Sequence, residues 1–148
     1  MADRRVIPFH VEHYLEATQG MPVFGDPREH GRVFEQAGPA WTGLVNDHVA
    51  AVAGIIILHP GLGEAWAVMT PLGRQHIRFV HRAVREGLRA IIQEHQLIRV
   101  QAKVIPDFFP GRLWAAHLGF REESRMYLAA PGGRDFLMCA MYPRGGRG

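Results

Sequence analysis

Residues 41 to 70 constrain the fold most, because there the chain settles into three strand-like segments in direct succession. Trp41-Thr42-Gly43-Leu44-Val45, the polar turn Asn46-Asp47-His48 and the apolar run Val49-Ala50-Ala51-Val52-Ala53-Gly54-Ile55-Ile56-Ile57-Leu58 read as a hairpin whose second arm is long and largely buried. After the turn His59-Pro60-Gly61-Leu62-Gly63, residues 64 to 70 form a third strand, so the three make an antiparallel meander.

A meander with one apolar face needs a cover, and the next segment supplies it. Pro71-Leu72-Gly73 punctuates the chain, and residues 75 to about 95 carry the helical period. Ile77, Val80, Val84, Leu88, Ile91 and Ile92 share one face of that helix, while Arg74, Arg78, Arg82, Arg85 and Arg89 share another. Before the meander, Val6-Ile7-Pro8-Phe9 suits an edge strand, which tolerates proline. Val11, Tyr14 and Leu15 then mark a short helix, and Asp26-Pro27, a cap followed by proline, opens a second that ends at Gly38-Pro39. Beyond the long helix, residues 97 to 104 alternate as a strand with Ile98, Val100, Ala102 and Val104 on one side. A short helix from about residue 111 to 117 stops at Gly119, and two closing strands, about 120 to 129 and 134 to 142, are joined by Pro131-Gly132-Gly133. Strands and helices are intermixed, so the class is α+β (mixed α/β) on one central sheet. The 148 residues make one domain with a frayed tail from about residue 143.

Composition limits the partners. Of the 17 basic side chains 16 are arginine, and Lys103 is the single lysine. Arginine's planar fork suits phosphate, so the excess fits either a compositional bias or a phosphate-bearing ligand. A net charge of +3 is a mild surplus, and no nucleic-acid motif accompanies it. Binding of nucleic acid through the arginine face therefore ranks last among the functions weighed. The single cysteine, Cys139, lies among Leu137, Met138, Ala140 and Met141, which marks a packed strand thiol rather than a nucleophile. No apolar run approaches the ~18 residues that span a membrane, and the N-terminus leads into no signal-type stretch, so a cytoplasmic protein is expected. The histidines are dispersed, and His10 and His13 lack a third ligand, so no metal is expected. Ser124, the only serine, lies in a predicted strand and forms no nucleophile elbow.

Two passages hold candidate chemistry. Thr70-Pro71-Leu72-Gly73-Arg74-Gln75 joins the third meander strand to the long helix, and unpaired amides at a helix start attract anions that Arg74 and Arg78 would reinforce. An ordinary strand-to-helix connection is the competing reading. Arg112-Leu113-Trp114-Ala115-Ala116-His117-Leu118-Gly119-Phe120 is an amphipathic helix that ends at a glycine.

The order of elements, with Met69-Thr70-Pro71, Arg74 and Leu118-Gly119-Phe120, resembles the GNAT superfamily of acyl-coenzyme A-dependent N-acyltransferases over nearly the whole chain. The resemblance implies a mostly antiparallel twisted sheet of about seven strands, flanked by about four helices and splayed between the fourth and fifth strands. It also implies pantetheine in that gap, lined by Val68, Met69 and Thr70, and phosphates near Gly73, Arg74, Gln75 and Arg78. The cosubstrate would be acetyl-CoA, the acceptor a primary amine of a small molecule or a protein, and the reaction direct attack on the thioester. Glu64, at the start of the fourth strand, is the candidate general base, with a solvated turn carboxylate as its alternative. His76 and His117 are candidates to supply a missing acid or base, and Trp114 and Trp66 to wall the cleft, although surface histidines and core tryptophans are commoner.

The family's loop departs here: Gln75, His76, Ile77, Arg78 and Phe79 follow Arg74 where small residues are usual, and Ala115 stands where a tyrosine commonly serves as acid. Those departures motivate a second function, in which the chain is a catalytically reduced scaffold that binds a protein partner, as a viral or accessory protein targeting a host enzyme would. A homodimer is left open.

Overall fold

The computed structural model describes residues 1–144. Its chain runs β1 (Arg4–Pro8), α1 (Val11–Ala17), α2 (Pro27–Ala37), β2 (Ala40–Val45), β3 (His48–His59), β4 (Leu62–Met69), α3 (Pro71–Gln75), α4 (Ile77–His95), β5 (Arg99–Val104), α5 (Phe109–Leu118), β6 (Arg121–Ala130) and β7 (Arg134–Met141). The seven strands form one sheet in the order β1-β2-β3-β4-β5-β7-β6. Only β4 and β5 run parallel, and such a pair needs a long crossover, which α3 and α4 provide.

Local chemistry explains most boundaries. Asn46 and Asp47 both take positive φ, 49° and 65°, as a tight two-residue hairpin turn requires, so β2 and β3 close on each other. Asp26 accepts the Arg28 N–H at 3.0 Å and Pro27 follows at the first helical position, which starts α2. Gly119, at φ 107°, ends α5.

Each face of the sheet has its own core. Val80, Val84, Leu88 and Ile91 of α4 pack on Val45, Ala51, Ala53, Ile55 and Val100. A fully buried side chain of this size contributes about 1.5–3 kcal/mol. On the other face α1 and α2 build an aromatic cluster of Phe9, Tyr14 and Phe34 around Trp66, whose ring stacks on Phe34 at 4.1 Å.

Several expectations shift. Five α-helices flank the sheet where about four are expected. The helix expected from residue 75 begins at Pro71 and is interrupted at His76. β4 begins at Leu62, so Glu64 lies inside the strand and not at its start. Ile98 precedes β5 and is exposed, because Leu97 takes the buried position. Cys139 is buried on β7, and burial pushes its thiol pKa up, as a packed thiol requires. Arg82, Arg85 and Arg89 are exposed along α4 and make no ion pair among the described residues. The final residues of the expected tail, 145–148, lie outside the described residues. No described helix is long and apolar enough to cross a membrane.

Candidate active site where the sheet splits

β4 and β5 are paired at three positions only: Leu62 with Arg99, Gly63 with Val100 and Glu64 with Gln101. Past that last pair, β4 continues to Met69 and β5 to Val104 with no further register between them. The two strands therefore part at Glu64, and the edge of β4 that faced β5 is left without a ladder partner. Ala67 is exposed in the middle of this otherwise interior strand.

Glu64 is held at the point of parting. Gln101 Nε2 donates to its Oε1 at 2.8 Å, and Lys103 Nζ lies 3.6 Å from its Oε2. Gln101 is itself oriented, since its Oε1 accepts from Arg99 Nε at 3.1 Å. Arg99 in turn makes a bidentate pair with Glu123 at 2.9 and 2.8 Å, a geometry that fixes the guanidinium plane. That pairing is the main cause of the lowered Glu123 pKa. The carboxylate at 64 thus ends a chain of oriented groups that crosses β4, β5 and β6.

Further along β4, Val68 packs into the aromatic cluster and Met69 against the α4 face. Thr70 then builds the turn into α3. Its hydroxyl lies 2.9 and 3.0 Å from the Val49 and Ala50 carbonyls, and its oxygen accepts the Gly73 N–H at 3.2 Å. Pro71 has no N–H, and the Arg74 N–H is taken by the Thr70 carbonyl at 3.1 Å. Gly73 is required by packing, because a Cβ there would lie 2.2 Å from the Ala50 carbonyl oxygen. Thr70 and Gly73 therefore use each other to seat α3 on β3.

A second helix start follows at once. His76 breaks the helical path at φ −121°, ψ 41°, and no side chain caps the first turn of α4. Its Nδ1 accepts from Arg4 Nε at 3.4 Å. Arg74, Gln75 and Arg78 are exposed around this break, and neither arginine forms an ion pair among the described residues. A first turn with free amides beside two unneutralised cations is a suitable place for an anion.

The remaining candidates sit apart from Glu64. Trp114 on α5 donates its indole N–H to His81 Nδ1 on α4 at 3.1 Å, so it ties two helices together. Burial, then Arg85, then His117 lower the His81 pKa. His117 itself is exposed, and no hydrogen bond among the described residues links it or His76 to Glu64. Trp66 packs in the aromatic cluster with Phe9, Tyr14 and Phe34, as a core tryptophan would, and its buried Nε1 has no hydrogen-bond partner among the described residues. Gln101, Lys103 and Arg99 were not singled out as site residues from sequence. Their signal was present as alternation, polar Arg99, Gln101 and Lys103 against apolar Val100, Ala102 and Val104. Among the described residues no group of three or more metal-ligating side chains converges.

No family model and no curated protein matches the chain. Solved structures do match in shape. A ribosomal-protein-S5-alanine acetyltransferase from Vibrio fischeri shares 12% identity at a TM-score of 0.74, covering 98% of this chain and 96% of that one. A GNAT-family acetyltransferase from Bacillus anthracis shares 16% at 0.72, covering 97% and 98%. A chimeric spermidine N-acetyltransferase from Vibrio cholerae shares 10% at 0.75, covering 95% and 96%. The chain has the GNAT fold. Within this GNAT frame the split sheet and the Leu118-Gly119-Phe120 helix end stand where the resemblance placed them. What differs is the glycine loop: its residues here are wound into α3 and the start of α4. The position of the common tyrosine holds Ala115, buried in the core with Phe120.

Proposed function

We propose that the protein is a cytoplasmic N-acyltransferase that moves an acetyl group from acetyl-CoA to a primary amine of a small molecule or a protein. The observation that carries this reading is the parting of β4 and β5 at a carboxylate held by Gln101. The residues present fit the cosubstrate: the unladdered edge of β4 along Val68, Met69 and Thr70 suits an amide-bearing pantetheine arm, and the uncapped start of α4 with Arg74 and Arg78 suits its phosphates. When bound, it supplies an activated acyl group as a thioester.

The chain's own contribution follows from proton chemistry. An amine attacks only after losing a proton, and Glu64 is the carboxylate placed to accept it. Gln101 keeps one carboxylate oxygen engaged and leaves the other toward Lys103 and the split. Ala115 offers no acid, and neither His76 nor His117 is tied to Glu64, so protonation of the departing thiolate falls to water. A thiol with an ordinary pKa near 8.5 is a good enough leaving group for that.

Calorimetric titration with acetyl-CoA, then thiol release measured over a panel of amines that includes polyamines and peptide N-termini, tests the proposal. Saturable binding with turnover of at least one amine supports it. Absence of any melting shift at millimolar coenzyme would remove it. The occupied amides of α3 and the alanine at 115 favour one second reading, a scaffold that binds a protein partner and has no turnover. Failure to bind coenzyme, together with capture of one specific partner at a defined stoichiometry, would select it.

A further inference from the structure

We propose that Lys103 is a site of self-acylation: its amine takes the acyl group from a thioester bound in the split, with Glu64 as proton acceptor. The proposal rests on the acyltransferase reading above. Lys103 is the only lysine against 16 arginines, and a guanidinium that stays protonated cannot act as an acyl acceptor. The one side-chain amine in the chain stands where the sheet opens between β4 and β5. It follows Gln101, the last β5 residue in register with β4, by two positions, so it shares Gln101's face and lies past the end of the ladder. Its Nζ is 3.6 Å from Glu64 Oε2 and 5.7 Å from the centre of the Phe136 ring. Its side chain is 37% exposed while that of Glu64 is 19% exposed, which leaves the amine reachable and the carboxylate sheltered.

The step balances. The ammonium gives one proton to Glu64, which passes it to water. The freed amine attacks the thioester carbonyl, the N–C bond forms and the C–S bond breaks. The second proton leaving nitrogen ends on the departing sulfur, so the products are an N-acyl lysine, a free thiol and one proton in solution. Acylation removes the charge at 103 and with it the ion pair to Glu64, leaving that carboxylate held by Gln101 alone.

Intact-mass measurement and peptide mapping of the full chain incubated with acetyl-CoA test this, because the N-terminal amine is an internal reference for unassisted chemistry. The melting temperature with coenzyme A is measured in parallel. The expected result is a melting shift, one acetyl increment at Lys103 formed at least ~10-fold faster than at the N-terminus, and slowing by free coenzyme A. Glu64→Gln is expected to slow it by about 100-fold, in the range of general-base assistance. Lys103→Arg keeps the cation and abolishes the increment outside the N-terminus. A melting shift without preferential labelling of Lys103, or labelling by acetyl phosphate that keeps the same Lys103 to N-terminus ratio, overturns the self-acylation and leaves the acyltransferase standing. No melting shift at all overturns both.

Discussion

Gln101 Nε2 donates to Glu64 Oε1 at 2.8 Å across the last rung of the β4–β5 ladder. Two strands joined by a 37-residue step in sequence thereby fix one carboxylate where they separate. Gln101→Leu removes the bond and leaves the β5 backbone intact. The expected outcome is a fall in kcat of about tenfold, equivalent to ~1.4 kcal/mol of transition-state stabilisation, with coenzyme affinity unchanged. Steady-state thiol release beside calorimetric binding checks it. An equal loss in affinity would mean that Gln101 lines the coenzyme slot.

The two exposed arginines on either side of the α3–α4 break, Arg74 and Arg78, make a separate prediction. Arg74→Glu and Arg78→Glu are each expected to weaken acetyl-CoA binding by about tenfold, the scale of one charged hydrogen bond, without lowering the melting temperature. The affinity of the wild-type protein should fall with added salt, and less steeply in either variant, since exposed charges are screened. Titrations at two ionic strengths read this directly.

Thr70 and Gly73 are predicted to matter for stability. Thr70→Ala deletes the N-cap of α3 and is expected to cost about 1–2 kcal/mol in urea unfolding, while Thr70→Ser keeps the oxygen and recovers most of it. Gly73→Ala forces a methyl within 2.2 Å of the Ala50 carbonyl oxygen, and overpacking of this sort costs about 1–3 kcal/mol. A neutral Gly73→Ala would show that α3 lifts freely off β3.

Acid sensitivity has an assignable source. His13 Nδ1 accepts the His10 N–H at 3.0 Å and lies 2.9 Å from the hydroxyl of Thr42, which is fully buried, so that hydroxyl must donate. Burial first, then the neighbouring His10, lowers the His13 pKa below the ordinary histidine value. A folded pKa below the unfolded one means that the unfolded chain binds more protons, so stability is complete above about pH 6.5 and is lost as pH falls through the folded value. His81 acts with the same sign. His13→Gln, which keeps an acceptor and cannot titrate, is expected to flatten the stability profile on the acid side of about pH 6.5. The lowered carboxylates at Glu12, Glu122, Glu123 and Asp135 act at lower pH, below their own ordinary values. Urea midpoints at half-unit pH steps separate the two.

What the sequence made legible was whatever local period and caps encode. Alternation through residues 41 to 70, the stripe Val80-Val84-Leu88-Ile91, Asp26-Pro27 and Gly119 all act within a few residues, and the meander, α4, the start of α2 and the end of α5 follow from them. Glu64 was visible as a carboxylate, but its partners Gln101 and Lys103 reach it only through strand pairing. The break at His76 carries no proline or glycine, and the seating of Gly73 against Ala50 just before it is a tertiary contact. The tie between Trp114 and His81 is likewise a contact between elements far apart in the chain.

The three-rung ladder has a further consequence. It divides the sheet into a leaf of four strands consecutive in sequence and a leaf of three, each able to form from near neighbours. Anything that seats along the free edge of β4 takes the place of a missing strand between the leaves. Occupancy of the wedge and integrity of the sheet are then one equilibrium, and the free energy of the occupant's binding adds to that of folding. Supply of the ligand would therefore govern how long each molecule survives as well as how fast it works.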